Sequence, residues 1–199
     1  MKLANQRYEE IKRIIAEFLE DYDVKEIPIN VFDLAKKMRI QVIYATDLVK
    51  IHPNKLDEYF IYSFPHSYFY YNPSTQKFLV YIDDISCREN RQKFSLAHEI
   101  MHIILGHTDQ NELNETEANF GATYLLAPTS LALLWVDKGL LLNPIIIKDV
   151  FDVSAPLADI IARYNLNRIT YCELIEKDYE KTINKLLKDS YKKRLCESK

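Results

Sequence analysis

Residues 94–102, Phe94-Ser95-Leu96-Ala97-His98-Glu99-Ile100-Met101-His102, place two histidines four positions apart with a glutamate directly after the first. On an α-helix a four-residue step turns about 40°, so both imidazoles leave from one face and can reach a single ion. Glu99 is turned about 100° from His98, too far to share that ligand position but well placed to reach a water beside the ion. This HExxH spacing predicts a metal-carrying helix, and a metal site requires a third ligand from elsewhere in the chain.

The longer pattern HExxHxxGxxH is excluded, because position 105 is leucine and position 108 threonine, with Gly106 and His107 each displaced by one. On a continuous helix His107 falls about 180° from His98, which makes it a polar residue at the helix end rather than a ligand. The other source of a ligand is a following helix. The alanine-containing stretch 111–126 offers Glu112, Glu115 and Glu117. Glu115, Ala118, Asn119 and Ala122 share one face, and the two alanines permit close approach to the metal helix, whereas Glu117 points about 200° away from Glu115. Glu115 is therefore the expected third ligand, with Glu112, about 60° round, as the alternative. Asn119, one turn after Glu115, is expected to accept the remaining N–H of a ligating histidine and so fix its ring.

Two histidines and one carboxylate leave an open position for water, as in catalytic rather than structural zinc sites. One zinc ion is the expected cofactor, although manganese or iron suits the same donor set. Glu99 is then the base that takes a proton from the attacking water and returns it to the leaving amine. Tyr124, His107 and the strand tyrosines are open candidates for stabilising the oxyanion.

Upstream, Leu3, Ile11, Ile14, Ile15 and Phe18 recur at helical spacing, and the helix they predict ends near 21–23. A second helix starts by Pro28 and Asn30 with an apolar stripe of Val31, Leu34, Ala35 and Met38, before a β-rich run at 40–44. Residues 59–83 are aromatic and β-branched with breakers at 64–67 and 72–75, which predicts three short antiparallel strands. The last of these, Lys77 to Asp83, reads at least as well as a plain sheet strand as it does as a strand that pairs with an extended substrate. From 111 onward the chain reads as helical. The expected fold is α+β: a small antiparallel sheet packed on the two zincin-type helices, then a helical C-terminal part. Residues 1–128 are read as the catalytic core and 129–199 as a helical extension packed on it.

Composition narrows the function. Net charge is -3, so the chain as a whole has no electrostatic footprint for nucleic acid or an anionic membrane. Three glycines, Gly106, Gly121 and Gly139, cannot write a P-loop or a dinucleotide fingerprint. Cys87, Cys172 and Cys196 are odd in number and widely spaced, against a disulfide framework or a thiolate metal site. Charges at 9, 10, 12, 13 and 17 interrupt any apolar leader, and no apolar run is long enough to span a membrane, so a cytoplasmic location is expected.

The stretches 91–102 (RQKFSLAHEIMH) and 115–122 (ETEANFGA) resemble the ImmA/IrrE metallopeptidases, and the resemblance extends through 31–37, 125–128 and 150–154. It implies a cytoplasmic zinc endopeptidase that relieves repression by cleaving a helix-turn-helix repressor, often encoded beside it on a phage or integrative element. It also implies zinc at the positions of His98, His102 and Glu115, with the base at Glu99. Two departures stand out: family members often have glycine where this chain has Met101, and alanine where Gly121 stands.

Two rival readings keep part of the pattern. Residues 145–164 resemble a helix-turn-helix, but Asp159 and Arg163 cancel on the second helix, which leaves few phosphate contacts for DNA. A non-proteolytic scaffold that only binds a repressor would not require Glu99. The tail 181–199, with seven basic and two acidic residues, reads as a solvated helix face.

Overall fold

The computed structural model describes residues 3–51, 67–109, 111–133, 143–171 and 175–197. The chain opens with α1 (Asn5–Asp21), whose stripe Ile11, Ile15, Phe18 and Leu19 is buried as its spacing predicts. Asn30 caps α2 (Val31–Lys37) by accepting from the N–H groups of Phe32 and Asp33. Then come β1 (Gln41–Tyr44), α3 (Ala45–Ile51), β2 (Ser67–Asn72) and β3 (Lys77–Ile82).

The sheet has the order β1-β3-β2. β2 and β3 form the expected antiparallel hairpin, with Ser67 opposite Ile82 and Asn72 opposite Lys77, while Asn72 Oδ1 caps the turn by accepting from the N–H groups of Ser74 and Thr75. β1 joins β3 in parallel, so the sheet is mixed rather than purely antiparallel. Of the two readings of Lys77 to Asp83, this order supports the plain sheet strand and removes the substrate-pairing one. β3 is the central strand, with its backbone groups engaged on both sides, and among the described residues β2 is an outer strand, beside the helix that carries residues 94–102. The expected strand before Ser67 lies outside the described residues.

Two helices follow in close contact: α4 (Glu89–Ile104), which carries 94–102, and α5 (Glu112–Leu126), which carries Glu115 and Asn119. Ala118 and Ala122 are fully buried between them, which confirms the small-residue face. The two departures at 101 and 121 face each other. A Cβ on Gly121 would stand 2.6 Å from Cε and 3.0 Å from Cγ of Met101, which is itself fully buried. The long side chain on α4 thus fills the room left by the missing Cβ on α5. Gly121→Ala gains about 1 kcal/mol of helix propensity but overpacks a closed core at about 1–3 kcal/mol, so a lower melting temperature is expected. Adding Met101→Ala should make the double variant more stable than the two single effects summed, and additive effects by thermal melts would contradict the contact.

The C-terminal part comprises α6 (Ser130–Leu133), α7 (Pro144–Phe151), α8 (Ala155–Thr170) and α9 (Asp178–Glu197). Asn143 and Ser154 cap α7 and α8, and Asp152 makes the left-handed turn between them at φ 50°. Lys93 of α4 bridges to Asp152 at 2.5 Å, tying this turn to α4. α9 packs along α1, where Lys177, Tyr179 and Lys12 converge on Glu9. Buried apolar side chains from Leu3 to Leu195 belong to one continuous core.

Candidate metal centre

The stretch 89–104 forms a helix because it lacks glycine and proline and places Leu96, Ala97, Ile100 and Met101 on a buried face. Its histidines lie at the edge of that face, toward α5. Nε2 of His98 and Nε2 of His102 are 3.0 Å apart. Glu115 Oε2 stands 3.3 Å from the first and Oε1 3.4 Å from the second. A tetrahedral cation with bonds of about 2.0–2.1 Å holds its ligand atoms about 3.3 Å apart, close to these spacings. The three side chains could hold one metal ion. Glu112 lines the same cavity, but the carboxylate that converges with the imidazoles is that of Glu115.

Electrostatics favour neutral, lone-pair-bearing imidazoles. Burial pushes His98 down to about 4, with Arg91 and His107 adding to the effect and Asn119 opposing it. Burial likewise pushes His102 down to about 4, reinforced by His98 and His107 and opposed by Glu115. The Nδ1 of His98 is buried without a partner of good hydrogen-bond geometry, so its relation to Asn119 is proximity rather than a formed bond.

Glu99 is 4% exposed and accepts a 2.7 Å hydrogen bond from Ser67 Oγ. Burial raises its pKa to about 7; the Ser67 and Phe69 backbone hydrogen bonds pull it back, and the Glu115 charge raises it further. Both partners sit on β2, so this strand orients the carboxylate. Phe69 also stacks on His102, with ring centroids 5.7 Å apart. The side chains enclose an open cavity of about 510 Å³, to which Arg91, Phe94 and Asn111 also contribute.

Three more residues stand behind His102. α4 ends at Ile104 and the chain turns at Gly106 with φ 69°, where Gly106 N–H bonds to Ile103 O and His107 N–H bonds to His102 O. This left-handed stop swings His107 back against the last helical turn. Its Nδ1 lies 2.9 Å from His102 Nδ1, and its Nε2 lies 3.2 Å from Glu117 Oε2. Glu117 faces away from Glu115, as its phase predicts, and pairs with Arg7 of α1. His107 thus lies at the helix end and outside the converging ligand group, and its approach to His102 follows from the turn at Gly106 that comes after the helix stops at Ile104. Ser67 carried no signal in the sequence. Of the open oxyanion candidates, Tyr124 is buried in a different wall and His107 lies behind His102, so neither lines the cavity.

Residues 62–137 match the family model Peptidase_M78, described as the IrrE N-terminal-like domain. The matched stretch holds β2, β3, α4 and α5, and therefore Ser67, His98, Glu99, His102, Glu115 and Asn119. The ImmA/IrrE resemblance read from 91–102 and 115–122 is borne out at the level of this domain. No curated protein matches the chain.

Proposed function

We propose that this chain, whose residues 62–137 match the IrrE N-terminal-like domain of the Peptidase_M78 family model, is a zinc-dependent endopeptidase acting on a helix-turn-helix transcriptional repressor. His98, His102 and Glu115 hold one zinc ion, Glu99 is the catalytic base, and Asn119, near the buried Nδ1 of His98, is the partner proposed for its remaining N–H. The observation that carries the reading is the meeting of two imidazole nitrogens and one carboxylate within 3.0–3.4 Å, one residue from a buried glutamate.

Zinc, when bound there, supplies Lewis acidity to water and to the scissile carbonyl. The chain's own groups do the rest. Ser67 and the Phe69 backbone fix the Glu99 carboxylate, which takes the proton from the attacking water and passes it to the departing amine nitrogen. Among the described residues β2, which carries Ser67 and Phe69 into the cavity, is an outer strand of the sheet, which supports alignment of an extended substrate beside it.

The repressor as substrate rests on the family resemblance. A cytoplasmic location belongs to the same reading. Among the described residues, no helix is long and apolar enough to cross a membrane. A DNA-binding role for α7 and α8 gains no support, since Arg168 of α8 is buried in an ion pair with Glu180 and is withheld from phosphate.

The test is incubation of the zinc-loaded chain with the repressor encoded next to it, followed by intact-mass analysis. Two defined repressor fragments, absent with a zinc chelator, are expected. A repressor left whole by a chain carrying stoichiometric zinc would overturn the proposed substrate.

A further inference from the structure

Behind His102 runs a line of polar contacts that the proposed chemistry does not use. His102 Nδ1 meets His107 Nδ1 at 2.9 Å, with the rings edge to face and centroids 5.0 Å apart. His107 Nε2 meets Glu117 Oε2 at 3.2 Å. Arg7 Nε donates to Glu117 Oε1 at 2.7 Å and Arg7 Nη2 to Glu117 Oε2 at 2.5 Å, a bidentate pair. The side chains of His107 and Glu117 are each 6% exposed, so water does not replace these contacts.

We propose that His107, held by Glu117 and Arg7, is a positioning residue that fixes the tautomer and ring angle of His102, so that α1 forms part of the metal centre. The inference deepens the metal-centre reading and rests on it. The assignment of protons follows from the ends inward. A carboxylate already gripped by a guanidinium can only accept, so the proton of His107 sits on Nε2 and points at Glu117. The Nδ1 of His107 then carries a lone pair, and at 2.9 Å it accepts the Nδ1 proton of His102. That leaves Nε2 of His102 bare, facing His98 and Glu115, as a metal ligand must be. A histidine that merely filled the helix end would have no need of Arg7, which lies on α1 outside the matched stretch 62–137. The turn at Gly106 is what brings His107 into line.

The full-length chain tests this through zinc affinity, measured by competition with a chromophoric chelator, and through the nitrogen-15 spectrum of the zinc-free imidazoles. His107→Leu is expected to weaken zinc binding about 10- to 100-fold, the usual loss when an outer partner of a ligating histidine is removed. His102 should also change from the Nδ1–H tautomer to a mixture. His107→Gln should recover part of the affinity, because its carbonyl can take the His102 proton while its amide reaches Glu117. It also keeps the test valid if the leucine variant does not fold. Folded variants that bind zinc within about twofold of the parent and leave the His102 tautomer unchanged would overturn the inference. A folded parent chain that takes up no zinc would overturn the metal-centre reading, and the inference with it, a result distinct from the loss of either His107 effect alone.

Discussion

Glu99→Gln is expected to slow peptide hydrolysis by about 10²- to 10⁴-fold, the range supplied by a positioned general base, while zinc content stays at that of the parent. The substitution is close to isosteric, and Ser67 Oγ can still donate to the amide oxygen as it now does to Oε1 at 2.7 Å. Glu99 is 4% exposed and burial already raises its pKa, so a neutral amide relieves a desolvated charge instead of stranding one. Melting temperature should therefore hold or rise slightly. Initial rates on an unstructured peptide, with zinc measured on the same samples, check the separation. An active Glu99→Gln would mean that another group accepts the water proton.

Glu115→Ala has the opposite signature, with metal and activity lost together. Its carboxylate closes the triangle at 3.3 and 3.4 Å from the two imidazoles, and its side chain is 42% exposed, so the folded chain should tolerate the truncation. The affinity loss should exceed the roughly 10- to 100-fold cost of removing an outer partner, because a direct bond to the ion is gone. Zinc at about a thousand times its dissociation constant stabilises a folded protein by about 4 kcal/mol. Thermal melts of the parent should therefore rise with added zinc, and those of Glu115→Ala should not. An equal rise in both would move the third ligand to another residue.

These expectations separate what local spacing can carry from what it cannot. The pair His98 and His102 follows from helical phase, and so does the selection of Glu115 over Glu117, because α4 and α5 are regular helices packed through Ala118 and Ala122. The same arithmetic keeps His107 at the helix end and out of the ligand set, but its contact with His102 depends on the turn at Gly106, which continuous-helix phase does not include. The glycine was readable as a stop, but not the direction of the residue after it. Strand order is a long-range property, so the central place of β3 and the parallel partner β1 had no local signature. Ser67 is an ordinary serine until the hairpin register brings it opposite Ile82 and over Glu99. Met101 and Gly121 were legible only as two separate oddities, and their contact explains both.

The most direct test of the central claim is X-ray absorption at the zinc edge of the full-length chain, purified and dialysed to constant metal content. One tightly held zinc per chain is expected, with two imidazoles and oxygen donors at about 2.0–2.2 Å and no sulfur. Absence of stoichiometric zinc, or a sulfur ligand at about 2.3 Å, would contradict it.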